Sequence, residues 1–166
     1  MTKIYTILCF ICTTFMMLTG CDSGNAQPAK TQKMPKNTKG ITWMTDFEAA
    51  QSRAKINNKP ILLAFMGSDW CGWCKKLDKE VFSTPEFQKW AADNVITVLA
   101  DFPATKQLPP ETARQNEKLR DMYNIAGYPT VLLLKYDGTV IAKTGYLPGG
   151  PANYIKQLKI FTGASK

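Results

Sequence analysis

The sequence ILLAFMGSDWCGWCKK, at residues 61–76, places two cysteines shortly after a continuous apolar run. The run from Ile61 to Met66 is typical of a buried central strand. Gly67-Ser68-Asp69 then predicts the turn from this strand into a helix. Cys71 and Cys74 are three residues apart at the start of that helix, so they share one helical face. This separation lets them close a disulfide without large backbone movement.

The position of the two cysteines predicts a different role for each sulfur. The N-terminus of a helix stabilises negative charge, so we expect the Cys71 sulfur to be a thiolate near neutral pH. We expect Cys71 to be exposed at the helix tip, and Cys74 to be more buried one turn further along. A thiolate with a second thiol within reach attacks a foreign disulfide and then resolves the mixed disulfide. The pattern therefore predicts a thiol–disulfide exchanger.

Two other interpretations of the cysteine pair stay open at the level of sequence. Cys71 and Cys74 form a static structural disulfide in the first, although so short a loop constrains the unfolded chain very little. They form half of a zinc site in the second, although structural zinc normally needs four ligands and the sequence contains no histidine. Exchange chemistry between sulfurs needs no further group, so we expect neither a metal nor an organic cofactor.

The first 21 residues have the features of a secretory signal that ends at a cysteine. A basic start at Met1-Thr2-Lys3 precedes an apolar run from Ile4 to Leu18, which is short for a membrane-spanning helix and typical of a signal peptide. Leu18-Thr19-Gly20-Cys21 resembles the lipobox of bacterial lipoproteins. That resemblance implies a signal peptide at residues 1–20, cleavage before Cys21, and lipid on its sulfur and amine. The alternative is an ordinary cleaved signal with an accidental cysteine.

Lipidation would leave one reactive pair among the five cysteines of the chain. Cys9 and Cys12 would leave with the signal peptide, and Cys21 would carry lipid. Cys71 and Cys74 would then be the remaining thiols, with no cysteine left for a second, structural disulfide. We expect the mature protein at the extracytoplasmic face of a bacterial membrane, which is the periplasm in a Gram-negative cell.

Residues 21–40 predict a flexible tether between the lipid and a folded domain at 41–166. The segment is rich in Pro, Gly, Asn, Gln, Ser and Thr, a composition that does not form a packed core. It carries part of the net charge of +8 on Lys30, Lys33, Lys36 and Lys39. These lysines could contact anionic lipid headgroups, or they could simply keep the linker solvated. No basic stripe interleaved with aromatic residues indicates nucleic-acid binding.

The remaining patterns predict an α/β fold with a central mixed sheet flanked by helices. Asp46 and Thr84 are expected N-caps, and Asp137-Gly138 is a strong hairpin signal. The expected elements are a helix ending near Asn57, a helix from Cys71 to about Phe82, a helix from Pro85, a strand at Val95–Ala100, a long loop at Asp101–Pro110, a helix at Glu111–Tyr123, hairpin strands at Thr130–Tyr136 and Thr139–Lys143, and a helix at Pro151–Phe161.

Two motifs in this order resemble the thioredoxin superfamily. Residues 61–76 look like its active-site strand and helix, and Gly127-Tyr128-Pro129-Thr130 is similar to its cis-proline motif. The resemblance covers about residues 41–164. It is strongest to the branch that contains the C-terminal domain of the transmembrane thiol reductase DsbD and related single-domain lipoproteins, and it implies a thioredoxin fold.

The resemblance also implies roles for residues around the cysteine pair. Cys71 corresponds to the attacking cysteine and Cys74 to the resolving one. Pro129 corresponds to the cis-proline packed against the pair, which would leave the backbone of Tyr128 free to pair with an extended substrate segment. The alternative for Pro129 is an ordinary trans proline that starts a strand.

Four tryptophans divide into two groups by position. Trp70 and Trp73 flank the cysteines, where they would offer a flat apolar surface to a substrate peptide. The alternative for both is packing in the core or as a lid. Trp43 and Trp90 lie far from the cysteines in sequence, and we expect them in the core because large aromatic side chains mostly serve burial.

One departure from the thioredoxin pattern concerns the proton acceptor for Cys74. Thioredoxin carries a carboxylate in the strand before the active site, whereas residues 61–66 contain none. Asp78 lies four residues after Cys74, on its helical face, and the DsbD-like branch has an acid there. A nearby carboxylate would raise the pKa of the cysteines and could accept the resolving proton. The alternative is a solvated surface acid paired with a lysine such as Lys75.

These observations predict a membrane-anchored, extracytoplasmic oxidoreductase that acts on protein disulfides, with reduction as the favoured direction. Its partners would be protein disulfide clients, a thiol protein that donates electrons, and the membrane through lipid on Cys21. The alternative function is a non-catalytic, thioredoxin-like module that binds a partner or carries Cu(I) on two thiolates. Reductants, oxidants and isomerases share this motif, so the motif alone leaves the direction of electron flow open.

Overall fold

The computed structural model describes residues 41–163, which form five α-helices and four β-strands within that range. The signal-peptide and tether predictions, including Cys21, lie outside the described residues. The elements are α1 (Phe47–Asn57), β1 (Ile61–Met66), α2 (Gly72–Leu77), a π-helical segment (Asp78–Phe82), α3 (Pro85–Asn94), β2 (Ile96–Asp101), α4 (Pro110–Met122), β3 (Thr130–Leu134), β4 (Val140–Thr144) and α5 (Gly150–Phe161). This order confirms the predicted α/β fold.

The sheet is mixed, with strand order β2-β1-β3-β4. Strand β1 is parallel to β2 and antiparallel to β3, and β3 pairs with β4 in an antiparallel hairpin. All six residues of β1 are buried, as its continuous apolar sequence predicts. Successive side chains of a strand point to opposite faces, so β1 contributes to a separate hydrophobic core on each face of the sheet.

The two cores place the cysteines and the outer helices. One core contains Leu62, Ala64 and Met66 of β1 together with Cys71 and Cys74. It also includes buried side chains of the π-helical segment, α3 and α5. The opposite core uses the alternate residues of β1 and packs them against α1 and α4. The cysteine pair therefore belongs to the hydrophobic core on one face of the sheet.

The helix starts follow the predicted capping residues. The Asp46 side chain accepts a hydrogen bond from the backbone N–H of Ala49 at 2.9 Å, and the Thr84 hydroxyl accepts one from Phe87 at 3.3 Å. Each bond satisfies an N–H group that has no partner inside the helix. Helix α1 ends at Asn57, and the cap residue that follows, Asn58, has a φ of 50° in the left-handed region that asparagine tolerates.

Apart from shifts of one or two residues at element boundaries, two features differ from the sequence-based expectation. The helix predicted from Cys71 to Phe82 changes to π-helical geometry after Leu77, and the backbone N–H of Ser83 bonds to the carbonyl of Asp78 at 2.7 Å. Widened turns of this kind are frequent at functional sites. Met44 adds a short parallel bridge to the outer edge of β2, opposite Val98. No residue pattern distinguishes a single bridge from a loop.

Candidate active site

Cys71 and Cys74 form a disulfide at the N-terminus of α2. The S–S distance is 2.10 Å and the two Cα atoms are 5.2 Å apart. Cys71 is the N-cap of the helix, and its sulfur accepts a hydrogen bond from the backbone N–H of Cys74 at 3.1 Å. The same N–H group, together with the helix dipole, would stabilise a thiolate on Cys71 after reduction.

The expected exposure of Cys71 is wrong for this disulfide-bonded state. Only 5% of Cys71 is exposed, and Cys74 is fully buried. The reason is that the Cys71 side chain turns back over the helix end, where it caps the first turn and bonds to the buried sulfur of Cys74. The exposed surface at this end of the helix belongs instead to Trp70 and Trp73, which are 51% and 58% exposed.

The predicted cis peptide bond is present between Tyr128 and Pro129. Strand β3 begins at Thr130, which pairs with Phe65 near the end of β1. The antiparallel pairing therefore places Pro129 at the same end of the sheet as the C-terminal end of β1, where the chain turns towards Cys71.

Trp70 lies within an aromatic group beside the disulfide. Its ring meets the ring of Tyr128 edge-on at 5.7 Å, and Tyr128 packs on Phe102 at 5.2 Å. The Trp70 indole N–H donates to the carbonyl oxygen of Phe102 at 2.7 Å. The ring also covers Gly67, where an added Cβ would overlap it. The contribution of Phe102 was not predicted, because nothing in the loop sequence places its carbonyl beside residue 70.

Trp73 belongs to a second aromatic group, which includes a cation. Its ring packs on Tyr146 at 5.2 Å, and the Lys76 ammonium lies 5.2 Å and 5.1 Å from the two ring centroids. The Tyr146 hydroxyl donates to Glu80 at 2.6 Å, and this hydrogen bond, with some burial, raises the pKa of Tyr146. Tyr146 and Glu80 are 66 residues apart, so no local sequence signal could have joined them.

Asp78 is half-buried at the junction of α2 and the π-helical segment. Its backbone N–H bonds to the Cys74 carbonyl, so the predicted four-residue relation to Cys74 holds. Burial raises the pKa of Asp78, and a hydrogen bond from the Ser83 hydroxyl at 3.2 Å partly opposes the rise. The alternative partner, Lys75, donates instead to the backbone carbonyl of Asp69 at 2.7 Å. Within residues 41–163, Asp78 forms no ion pair.

The other acid near the cysteines, Asp69, is already committed to a neighbouring loop. Its carboxylate accepts hydrogen bonds from the backbone N–H groups of Ala104 and Thr105 and from the Thr105 hydroxyl. These bonds hold the pKa of Asp69 well below its usual range. A carboxylate stabilised in this way is a weak base, whereas burial makes the Asp78 carboxylate the stronger base of the two.

The other tryptophans follow the predicted division. Trp43 is buried and packs on Phe82, with ring centroids 5.0 Å apart. Trp90 is partly buried against the same core. Among residues 41–163, no group of three or more histidine, cysteine, aspartate or glutamate side chains is arranged to hold a metal ion. In the same range, none of the helices is both long and apolar enough to cross a membrane.

Comparison with known proteins relates this fold and site to disulfide chemistry. The family model described as a thioredoxin-like domain matches residues 47–159. The chain is 33% identical over 128 residues to the disulfide bond reductase DsbH of Chlamydia pneumoniae, covering 77% of this chain and 76% of the relative. A solved structure of a DsbH oxidoreductase superposes with a TM-score of 0.71 at 30% identity, covering 82% of this chain and 94% of the other.

A longer relative matches over a smaller share of its length. The thiol:disulfide interchange protein DsbD of Cronobacter sakazakii is 30% identical over 110 residues. The match covers 64% of this chain but only 17% of DsbD. The similarity is therefore to one part of a larger protein, as the predicted resemblance to a single DsbD domain implies.

Proposed function

The chain belongs to the thioredoxin-like domain family and is a thiol–disulfide oxidoreductase, and from this premise we propose that it reduces protein disulfides at the extracytoplasmic face of a bacterial membrane. The observation that carries the proposal is the Cys71–Cys74 disulfide at the N-terminus of α2, in which the Cys71 sulfur accepts a hydrogen bond from the backbone N–H of Cys74. The helix end favours the thiolate at this position.

The proposed reaction begins with the reduced pair. The Cys71 thiolate attacks one sulfur of a client disulfide, a Cys71–client S–S bond forms, and the client S–S bond breaks. The released client thiolate takes up a proton. Cys74 then loses its proton to a base, and its thiolate attacks the Cys71 sulfur and frees the second client thiol. The client gains two electrons from the protein and two protons, one released by Cys74 and one taken from solvent, and a donor dithiol then returns two electrons and one proton to the protein.

The surroundings of the disulfide support a polypeptide client. Trp70 and Trp73 are exposed aromatic surfaces next to the cysteines, and surfaces of this type bind peptides well. We assign Tyr128, before the cis Pro129, to backbone pairing with an extended client segment. Asp78 is assigned as the proton acceptor for Cys74. These roles are inferred from the positions of the four side chains and from their exposure or burial. Together they would suit a client that binds as an extended peptide.

Two arguments favour reduction over oxidation. The similar protein from Chlamydia pneumoniae is named a disulfide bond reductase. The half-buried Asp78 carboxylate lies one helical turn after Cys74, where its charge opposes thiolate formation and so limits the fall in thiol pKa that makes strong oxidants. The alternative of a non-catalytic binding or copper-carrying module has no comparable support, because the named similarity is to an enzyme.

Turnover of a protein disulfide tests the reductase proposal. We expect the protein to accelerate insulin reduction by dithiothreitol, measured as precipitation of the free B chain. We also expect a reduction potential near the thioredoxin value of about −270 mV and well below about −120 mV, the value of a strong oxidant. Dithiothreitol alone is the control. A rate equal to this control would favour the binding module, and a potential near the oxidant value would reverse the direction.

The support for the proposed membrane location comes from the N-terminal sequence. We propose a signal peptide at residues 1–20, a lipid-anchored tether at 21–40 and a catalytic domain at 41–166. The support is the basic start, the short apolar run, and the lipobox-like Leu18-Thr19-Gly20-Cys21. An anchored domain would meet membrane-attached clients and donors at high local concentration.

Replacing the proposed lipidation site tests the anchor. The Cys21→Ala protein is expected to leave the detergent phase and to appear in the aqueous phase, because the acyl chains that hold it at the membrane are absent. Detergent-phase partition of cell extracts, followed by immunoblotting, measures the change. Insulin reduction by the purified variant serves as the control for folding. If Cys21→Ala remained in the detergent phase, lipid on Cys21 would not be the anchor, and the lipoprotein proposal would be overturned. Wild-type protein in the aqueous phase would instead indicate a soluble secreted protein.

A further inference from the structure

The turn before the active-site helix is tied to the segment that follows β2. The backbone N–H and the hydroxyl of Ser68 both donate to the Asp101 carboxylate, at 2.9 Å and 2.6 Å. The Trp70 indole N–H donates to the carbonyl of Phe102 at 2.7 Å. These bonds join residues that are 32 or 33 positions apart. The residues leading to Cys71 are thus held from the side by a distant part of the chain.

Asp69 provides the largest share of this attachment. One carboxylate oxygen accepts the Ala104 N–H at 2.9 Å, and the other accepts the Thr105 N–H at 2.8 Å and the Thr105 hydroxyl at 2.7 Å. The backbone carbonyl of Asp69 accepts the Lys75 ammonium at 2.7 Å. Hydrogen bonds to an ionised acceptor are shorter and stronger than neutral ones. The Asp69 side chain therefore connects the loop at residues 102–109 to the turn, and the Asp69 backbone carbonyl connects the turn to Lys75 of helix α2.

The loop at residues 102–109 has no regular structure of its own to fix its position. The backbone carbonyl of its first residue, Phe102, accepts a hydrogen bond from the Trp70 indole N–H, and the Phe102 ring packs on Tyr128. Tyr128 in turn meets Trp70. Trp70, Phe102 and Tyr128 therefore form an aromatic wall beside the disulfide, and the position of this wall depends on where the loop is held. Ala104 and Thr105, two and three residues after Phe102, are the points at which Asp69 holds it.

We propose that Asp69 is a positioning residue that selects polypeptide disulfides: its carboxylate holds the loop against the active-site turn and so fixes the Trp70–Phe102–Tyr128 wall for a client segment to pack on. This inference rests on the proposed reduction of protein disulfides. A small disulfide has no flanking chain to pack on the wall, so it needs only access to the Cys71 sulfur. Loss of the carboxylate should therefore impair protein clients more than small disulfides.

The experiment compares two substrates in three variants. Asp69→Asn exchanges one acceptor oxygen for an NH₂ group that faces donors, and Thr105→Val removes only the hydroxyl donor. Asp137→Asn is the matched control, since Asp137 also accepts a backbone N–H in a turn, from Thr139 at 2.9 Å. That turn follows Leu134, which pairs with Ile61 at the end of the sheet opposite the active site. Second-order rate constants are measured with reduced enzyme on insulin and on a dithiodipyridine.

The expected quantity is the ratio of the insulin rate constant to the dithiodipyridine rate constant. Asp69→Asn should lower this ratio about tenfold, because small displacements of a positioned group cost one to two orders of magnitude in rate. Thr105→Val should lower it about threefold, in line with the loss of one hydrogen bond. Asp137→Asn should leave the ratio at the wild-type value.

A spectroscopic measurement separates positioning from general stability. The indole ¹H–¹⁵N resonance of Trp70, assigned by its loss in Trp70→Phe, should shift in Asp69→Asn as the bond to Phe102 weakens. The resonances of Trp43 and Trp90 should stay in place. A thermal scan records any change in stability, and Thr105→Val carries the test if Asp69→Asn does not fold.

The outcomes distinguish this inference from the function on which it rests. Failure of the wild-type protein to reduce insulin would overturn the proposed function itself. Wild-type reduction of insulin with an unchanged ratio in Asp69→Asn and Thr105→Val would overturn the positioning role alone. An equal fall in both rate constants, with the Trp70 indole resonance unshifted, would also overturn it, because the substitution would then have changed the reactivity of the cysteines and not the aromatic wall.

Discussion

Replacing Cys71 by serine is expected to reduce the rate of insulin reduction to that of the dithiol donor alone. The hydroxyl of serine is a far weaker nucleophile than a thiolate at neutral pH, and the sulfur of Cys74 is fully buried. With Cys21 lipidated, no other thiol of the mature chain would be available to start the exchange. The turbidity assay for insulin measures the loss, with circular dichroism as the control for folding.

The complementary change, Cys74→Ser, is expected to stop the reaction at its intermediate. Cys71 still attacks the client, but no second thiol displaces it, so the mixed disulfide accumulates to about one per protein. Non-reducing electrophoresis and mass spectrometry measure the adduct, and the double serine variant is the matched control. Adducts formed by Cys71→Ser but not by Cys74→Ser would reverse the two roles.

Replacing Asp78 by asparagine is expected to slow the release of client from the mixed disulfide by about a hundredfold, since a positioned base contributes 10² to 10⁴ in rate. The pKa of Cys71 in the reduced protein should fall, because a negative charge near the thiolate is removed. Stopped-flow kinetics and thiolate absorbance at 240 nm measure the two effects. Ser83→Ala, which removes only the hydrogen bond to Asp78, is the control. An unchanged rate of client release and an unchanged Cys71 titration in Asp78→Asn would contradict the role of Asp78 as a base.

The raised pKa of Asp78 also predicts a pH dependence with a definite sign. Burial holds the folded-state pKa of this carboxyl group above its usual value of 3.8, so the folded protein binds the proton more tightly than the unfolded chain. Stability from this group is therefore complete below the usual value and falls as pH rises through the raised pKa. Asp78→Asn should be more stable than wild type at pH 7, and the difference should close in acid. Urea unfolding at several pH values measures it, and a difference independent of pH would contradict the burial of this charge.

The sequence determined the architecture because its signals are local. A continuous apolar run, a capping aspartate at Asp46, and a proline after Thr84 each fix a backbone conformation with few competing choices. Hairpin and cis-proline motifs were equally local, and the structure confirms both. The π-helical geometry after Leu77 was not predictable in this way. Its two adjacent buried side chains, Val81 and Phe82, are also compatible with the end of an α-helix.

At the site, the sequence determined the pair of sulfurs and the helix that carries them. The three-residue spacing of the cysteines and the strand-to-helix turn before them are enough to predict both. Tertiary structure alone decided what surrounds them. The wall formed by Trp70 with Phe102 and the contact of Trp73 with Tyr146 both join segments far apart in the chain. Asp69 shows the difference most clearly: the sequence predicts only that it lies in the turn before the cysteines, whereas its partners across the fold occupy both carboxylate oxygens. Hydrogen bonds between distant residues depend on where the folded backbone brings their donors, and residue spacing carries no information about that.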